Sequence, residues 1–203
     1  MKGLKIFFIL FSVAFFLPAK AQAGVAVGES APDFKLNDTR NNPVSLSAYQ
    51  GKFVVLEWFN PDCPFVRKHY DSGNMQRLQK NYTEKGVVWL SICSSAPGKQ
   101  GSYSAEQTNE IMTQRGAQST AILLDTTGEV GHLYDAKTTP HIFIIGPDGK
   151  VIYQGAVDSI ASTDQTDIPQ AENYVESALD AAMAGQPVTV ASSTKSYGCS
   201  VKY

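Results

Sequence analysis

Basic side chains are not in excess in this sequence. Its 203 residues contain 17 Lys and Arg against 19 Asp and Glu, a formal net charge of −2. Nucleic acids and acidic membrane surfaces bind proteins through basic patches, so neither is expected as a main partner. Internal repeats and long low-complexity segments are missing too. Hydrophobic residues make up 43% of the chain and charged residues 18%, which is typical of a globular protein that buries a core.

Long hydrophobic runs are also scarce, and the prominent one is at the N-terminus. Residues 6–17 are almost entirely apolar and follow Lys2 and Lys5. This run is about a dozen residues long, whereas a helix needs roughly 20 to cross a bilayer. With the small-residue site Ala21-Gln22-Ala23 after it, the segment is typical of a secretory signal peptide rather than a membrane anchor. We therefore expect residues 1–23 to be cleaved, the mature protein to be periplasmic or secreted, and no stable membrane insertion afterwards.

Cysteine is rare: the chain has three, Cys63, Cys93 and Cys199. This is too few for a disulfide scaffold. In an exported protein an odd number indicates a free reactive thiol, or one pair and a spare. Cys93 ends a predicted strand and is interpreted as a small buried apolar residue, with a redox role as the alternative.

Strand and helix patterns alternate through the middle of the chain. Strands are predicted at 53–56, 87–93, 121–124, 141–145 and 151–154, and the last two form a hairpin across Pro147-Asp148-Gly149. Helices are predicted at 64–85 with an interruption at 71–74, at 105–115, at 130–134 and at 171–184. This order predicts an α/β fold with a central mixed sheet covered by helices on both faces. Residues 24–187 are assigned to this domain and residues 188–203, which lack periodicity, to a tail lying on it.

Cys63 lies between a predicted strand and a predicted helix. Pro64 follows it, and proline is favoured in the first helical turn, so Cys63 is expected at the helix N-terminus, where the dipole favours a thiolate. Lowering the pKa from about 8.5 to about 6.5 needs roughly 2.7 kcal/mol, whereas a helix terminus supplies up to about 2 kcal/mol. Hydrogen bonds to the sulfur, or positive charge from Arg67, Lys68 or His69, are expected to supply the rest. The alternative is a buried, inert cysteine.

Several segments resemble the thioredoxin-like superfamily, and more closely its peroxiredoxin-like (redoxin, AhpC/TSA) branch. The similar segments are 28–34 (GESAPDF), 58–66 (WFNPDCPFV), 138–140 (TTP), 146–149 (GPDG) and 197–203 (YGCSVKY). The last of these is similar to the ending of an uncharacterised peroxiredoxin-like family. The resemblance implies a thioredoxin-like fold with an N-terminal redoxin extension, and Cys63 as the redox-active residue.

The chain departs from this family at informative positions. A disulfide reductase of the thioredoxin type carries Cys-x-x-Cys, but the second position here is Val66. A peroxiredoxin carries Thr or Ser three residues before its reactive cysteine and Pro four residues earlier, where this chain has Asn60 and Leu56. Asn60 remains a residue that can hydrogen-bond a peroxide oxygen. The choice between a peroxidase and a disulfide-exchange protein stays open.

The resemblance also assigns supporting residues. Glu57 falls near the buried carboxylate of many thioredoxins, where it would carry a proton during exchange; the alternative is a Glu facing solvent at a strand edge. Pro140 resembles the cis-proline that packs against the active cysteine, with an ordinary loop proline as the alternative. Thr139 would then offer backbone groups to a bound thiol, peptide or peroxide.

Metal binding is a rival interpretation. Cys63, His69, His141 and Cys199 together offer ligands for a soft ion such as copper. Their spacing matches no metal motif, so neither a metal nor another cofactor is expected. His69 is interpreted as a surface helical residue, and His132 and His141 as structural ones.

These observations favour a thiol-dependent redox protein. Cys63 is expected to attack a peroxide or a disulfide, Cys199 to resolve the product, and an external thiol to reduce the protein again. The second hypothesis is a thioredoxin-fold binding protein without turnover. The residue Val66 favours that hypothesis, and a partner thiol in Cys199 disfavours it.

Overall fold

The computed structural model describes residues 24–188 and 193–203. The predicted signal peptide at 1–23 lies outside the described residues. Within the described part of the chain, no helix combines the length and apolar character needed to span a membrane. The strands are β1 (Lys35–Asn37), β2 (Pro43–Ser45), β3 (Val54–Trp58), β4 (Val88–Cys93), β5 (Ala121–Leu124), β6 (Thr138–Thr139), β7 (His141–Ile145), β8 (Val151–Gly155) and β9 (Cys199–Ser200). The helices are α1 (Pro64–Asp71), α2 (Asn74–Thr83), α3 (Ala105–Gln114), α4 (Glu129–Tyr134) and α5 (Tyr174–Met183), with 3₁₀ turns at Leu46–Tyr49 and Gln165–Gln170.

The central sheet is mixed, as the sequence predicted. Its order is β5-β4-β3-β7-β8. Strands β3, β4 and β5 run parallel, whereas β7 is antiparallel to β3 and to β8. The predicted hairpin of β7 and β8 and the α/β fold class are therefore confirmed.

Alternating side chains of β3 divide the core into two clusters. Val54, Leu56 and Trp58 enter one cluster, and Val55 and the following Phe59 enter the other. All five are buried, which explains why the strand appears in the sequence as a continuous apolar run. Helices α1, α2 and α5 contribute to the Val55 cluster and α4 to the Leu56 cluster, so both faces of the sheet are covered.

Several predicted boundaries were wrong by one to three residues. The closing helix begins at Tyr174 rather than at 171, because the Asn173 side chain accepts a hydrogen bond from the Glu176 backbone N–H and caps the helix there. Strand β3 continues through Trp58 instead of ending at 56. The interruption predicted at 71–74 is confirmed, since α1 ends at Asp71 and α2 begins at Asn74.

The C-terminal tail is ordered by strand pairing. Its strand β9 pairs antiparallel with β6, with Thr138 opposite Ser200 and Thr139 opposite Cys199. The Val201 N–H also donates to the Lys137 carbonyl at 3.1 Å. Residues 199–201 of the tail thus pair with residues 137–139. The two-residue strand was not predicted, because so short a pairing leaves no periodicity in the sequence.

Candidate active site

Cys63 is the N-cap residue of α1, with Pro64 in the first helical turn. The loop that delivers it begins where β3 ends, and the Phe59 N–H still donates to Ile92 of β4 at 2.9 Å. The Arg67 N–H donates to the Cys63 carbonyl at 2.9 Å, so the helix starts at this residue. The side chain is fully buried, at 0% exposure. The predicted position of Cys63 at a helix N-terminus is confirmed.

Thr139 and Pro140 face Cys63 from the other side. The peptide bond between them is cis, as expected from the resemblance. The Cys63 thiol donates a hydrogen bond to the Thr139 carbonyl oxygen at 3.0 Å. The backbone of the residue before the cis-proline therefore holds the Cys63 side chain.

Cys199 reaches the same place from the tail. It lies opposite Thr139 in the β6–β9 pair, is half-buried, and packs against the core cluster that contains Cys63. Gly198 permits this approach, because its φ is +139° and a Cβ there would overlap the Thr139 carbonyl. Both thiols thus lie beside Thr139 and affect each other's pKa, although 136 positions separate them in the sequence.

The two thiols differ in acidity. Burial raises the pKa of Cys63, but hydrogen bonds from the Cys199 thiol, the Val66 backbone N–H and the Thr139 side chain outweigh it and lower the pKa. The pKa of Cys199 is raised to about 11. Burial is the main cause, and the hydrogen bond to Cys63 and the negative charge of the Cys63 thiolate add to it. Cys63 is therefore the more acidic thiol of the pair, and Cys199 keeps its proton to higher pH.

Hydrogen bonds, not basic side chains, account for this acidity. The Arg67 side chain is 60% exposed and pairs with Asp71 at 3.4 Å, and Lys68 pairs with Asp158 at 3.2 Å. His69 was expected at the surface, and that was wrong: it is buried. Burial lowers the pKa of His69 to about 4, so it is neutral at neutral pH. The basic residues expected to add positive charge near Cys63 therefore do not: Arg67 and Lys68 pair with carboxylates, and His69 is uncharged.

Glu57 is buried in the sheet, so the alternative of a solvent-facing Glu was wrong. Burial raises the pKa of its carboxyl, and four hydrogen bonds oppose that rise without cancelling it. The donors to the carboxylate are Trp89 at 2.8 Å, Tyr70 at 2.8 Å, Ser91 at 2.9 Å and Gln79 at 3.0 Å. Tyr70 belongs to α1, so this network ties the carboxyl to the helix that begins at Cys63.

Asn60 organises the loop before Cys63. Its Oδ1 accepts from the Asp62 N–H at 2.9 Å, and its Nδ2 donates to the Gln100 carbonyl at 3.0 Å. Asp62 in turn accepts from the Gly101 N–H at 3.1 Å and from the Tyr103 hydroxyl at 3.0 Å. Sequence reasoning missed Asp62, Gly101 and Tyr103, because contacts between residues about 40 positions apart leave no local pattern. In this arrangement both polar ends of Asn60 hold the loop.

The remaining cysteine and histidines are structural in their contacts. Cys93 is buried, as predicted, and burial raises the pKa of its thiol. His141 Nδ1 accepts from the Lys137 N–H at 3.3 Å, and burial lowers the pKa of His141 to about 4. Among residues 24–188 and 193–203, no three His, Cys, Asp or Glu side chains form a group that could hold a metal ion.

Several known proteins are similar to this chain. The thiol-disulfide oxidoreductase ResA of Bacillus subtilis is 27% identical over 128 residues, which cover 63% of this chain and 66% of ResA, just under two thirds of its length. The crystal structure of an uncharacterized conserved protein from Geobacillus kaustophilus is 28% identical, with a TM-score of 0.72 over 88% of this chain and 92% of that one.

A second solved structure and a family of known sequences are also similar to this chain. A putative thiol:disulfide interchange protein DsbE from Chlorobium tepidum is 26% identical, with a TM-score of 0.54 over 64% of this chain and 85% of that one. These neighbours establish the thioredoxin-like fold. The AhpC/TSA family matches residues 27–154, which hold Cys63, Thr139 and Pro140 and make up more than half of the chain. The protein therefore belongs to the AhpC/TSA family.

Proposed function

We propose that this protein is an exported thiol oxidoreductase in which Cys63 is the nucleophile and Cys199 the resolving thiol. The observation that carries the proposal is that Cys63, the acidified N-cap residue of α1, and a second thiol, Cys199, both lie beside Thr139. A buried cysteine with only a packing role needs neither a lowered pKa nor a partner thiol. The proposed export rests on the signal-like residues 1–23.

The favoured reaction is disulfide exchange. The Cys63 thiolate attacks one sulfur of a substrate disulfide, forms a mixed disulfide and releases the other sulfur as a thiolate. Cys199 then loses its proton and attacks the Cys63 sulfur, which releases the second substrate thiol and leaves a Cys63–Cys199 disulfide. An external dithiol reduces that bond and is itself oxidised to a disulfide. The similarity to ResA, a thiol-disulfide oxidoreductase, supports this choice.

Peroxide reduction is the second candidate reaction. Here Cys63 attacks the O–O bond, an alcohol or water leaves, and Cys63 becomes a sulfenic acid. Cys199 displaces water from it and forms the same disulfide. Membership of the AhpC/TSA family supports this reaction. The hydrogen bonds of the Asn60 amide argue against it, because they engage both of its polar ends within the loop instead of directing one to a peroxide oxygen.

The supporting residues receive roles that fit their contacts. Thr139 and Pro140 orient the sulfur through the Thr139 carbonyl. Asn60 fixes the loop, and Arg67 provides an exposed charge one turn along α1 for an approaching partner. Glu57 keeps its proton to a higher pH than an ordinary Glu, since its pKa is raised, and this is the property a buried proton carrier needs.

A binding protein without turnover is the alternative, and one assay separates the two. Purified protein is given excess oxidised glutathione with a dithiol reductant, or hydrogen peroxide with the same reductant, and consumption is followed over many equivalents. We expect consumption faster than the protein-free reaction in the wild type and in Cys93→Ser, and only the protein-free rate in Cys63→Ser. If the wild type consumes no more than one equivalent beyond the protein-free reaction, or Cys63→Ser is as fast as the wild type, the protein is not a Cys63-dependent oxidoreductase.

A further inference from the structure

A buried ion pair joins α1 to the segment that follows β8, and it takes no part in the proposed chemistry. Lys68 Nζ is 3.2 Å from Asp158 Oδ2, and the two side chains are 0% and 2% exposed. Lys68 Nζ also donates to the Ile160 carbonyl at 2.8 Å. Burying two charges is expensive, and such a pair stabilises a protein poorly compared with apolar packing. A specific role in positioning is a better explanation for it than stability.

Tyr197 of the tail joins this pair. Its hydroxyl donates to Asp158 Oδ1, the carboxylate oxygen that Lys68 does not use. Its ring packs edge-on against Phe65 with 5.9 Å between centroids, and Lys68 Nζ lies 5.7 Å from the same ring. The tail is thereby bound to α1 within a few residues of Cys63.

The Tyr197 hydroxyl also contacts the uncharged side chain of His69. His69 Nε2 is 3.4 Å from the Tyr197 hydroxyl, and His69 Nδ1 is 2.9 Å from the Asn74 amide nitrogen. Because the Asn74 amide donates to Nδ1, the neutral imidazole carries its proton on Nε2 and directs it towards the Tyr197 oxygen. The Tyr197 hydroxyl thus accepts from one side and donates to Asp158 on the other, which fixes its position.

A single residue, Gly198, separates Tyr197 from Cys199. We propose that Lys68, Asp158 and Tyr197 form an anchor that positions Cys199 against Cys63, and so sets how readily the two thiols form a disulfide. This proposal rests on the proposed function, because it assigns the anchor to the resolving step. The three are positioning residues: they act through the tail and do not contact the reacting sulfurs.

The other end of the tail is held differently. Tyr203 stacks on His132 with 3.8 Å between centroids, and its hydroxyl donates to the Ala136 carbonyl at 2.7 Å. The Ala96 N–H donates to the Lys202 carbonyl at 2.8 Å. Cys199 therefore lies between two attachments, and the one at Tyr197 is the attachment that reaches the helix beginning at Cys63.

The test measures the equilibrium between the dithiol and the Cys63–Cys199 disulfide in glutathione buffers. In this reaction the reduced protein and one oxidised glutathione give the protein disulfide and two reduced glutathiones. Tyr197→Phe keeps the ring and removes the hydroxyl. Hydrogen bonds to charged groups are among the stronger ones in proteins, so we expect the equilibrium constant to fall about tenfold, which corresponds to about 1.4 kcal/mol.

Tyr134→Phe is the matched control. Its hydroxyl donates to the Pro32 carbonyl at 2.6 Å in the core cluster on the opposite face of the sheet, so the hydrogen bond that this variant loses does not involve the tail. Its equilibrium constant should equal that of the wild type. An unchanged constant in Tyr197→Phe, or an equal fall in both variants, overturns the anchor while the oxidoreductase proposal stands. A wild type that forms no Cys63–Cys199 disulfide at all would instead contradict the resolving role of Cys199.

Discussion

Cys199 lies directly opposite Thr139 in the antiparallel pair of β6 and β9. Since the Thr139 carbonyl accepts the hydrogen bond of the Cys63 thiol at 3.0 Å, one residue relates the two cysteines to each other. The chain lacks a second cysteine at Val66, and the tail brings a thiol to the site by a different route. We expect this arrangement to affect the acidity of Cys63 and the rate at which Cys63 and Cys199 form a disulfide.

The acidity of Cys63 should depend on Cys199. Replacing Cys199 by Ala removes the side chain that contributes most to lowering the pKa of Cys63. We therefore expect the pKa of Cys63 to rise in this variant. Cys199→Ser keeps a hydroxyl donor and should raise it less. Thiolate absorbance against pH, with Cys93 replaced by Ser throughout, measures the values; equal pKa values in all proteins would exclude Cys199 as the donor.

Gly198 should be needed for the close approach of the tail. A Cβ at this position would overlap the Thr139 carbonyl, so Gly198→Ala should push Cys199 away. We expect disulfide formation between Cys63 and Cys199 to become at least about tenfold slower, the effect of about 1.4 kcal/mol. Gly116→Ala is the control, because Gly116 also has a positive φ, of +69°, but open space around it. If both variants form the disulfide at the wild-type rate, the close contact between Gly198 and Thr139 has no kinetic role.

The raised pKa of Glu57 should make its contribution to stability depend on pH. A carboxyl whose pKa is raised by folding destabilises the folded state as pH increases above the unfolded value of about 4.3. Glu57→Gln cannot ionise but places an amide among four donors, so it should lower the free energy of unfolding by about 1–3 kcal/mol at low pH. The difference from the wild type should shrink as pH rises. Urea unfolding between acidic and neutral pH tests this, with the exposed Glu84→Gln as control; a difference that widens with pH contradicts the raised pKa.

Two adjacent residues of α1 should respond differently to loss of charge. Arg67 is exposed and pairs with Asp71, so Arg67→Gln should change the free energy of unfolding by no more than about 0.5 kcal/mol and leave the acidity of Cys63 unaltered. Lys68→Met leaves Asp158 buried without its partner and should cost about 3–5 kcal/mol. Chemical denaturation gives both numbers. Similar costs for the two variants would show that Lys68 is not part of a buried pair.

Local signals made much of the fold predictable. The apolar run of β3, the Pro64 start of α1 and the turn residues at 71–74 depend on neighbours in sequence, and the structure confirms each of them. Cys63 was placed correctly for the same reason. Thr139 and Pro140 were found through the resemblance, since a TTP segment before a strand carries little information by itself.

Long-range contacts were not predictable from the same patterns. His69 was assigned to the surface because nothing near it in sequence indicates Tyr197, 128 positions away, as a partner. Lys68 looked like a charge available to Cys63, but its partner Asp158 is 90 residues away. The pairing of Cys199 with Thr139 extends over two residues per strand. Each of these features depends on how separate segments pack, and a single sequence does not display that.

The central claim is that Cys63 and Cys199 form a disulfide when the protein reacts. The most direct measurement is peptide mapping by mass spectrometry, without reduction, after reduced protein has received one equivalent of oxidised glutathione or hydrogen peroxide and the remaining thiols have been blocked. We expect one cross-linked product, joining the peptide of Cys63 to that of Cys199, with Cys93 blocked as a free thiol. Recovery of Cys63 as a glutathione adduct or sulfenic acid, with Cys199 blocked as a free thiol, would contradict the claim.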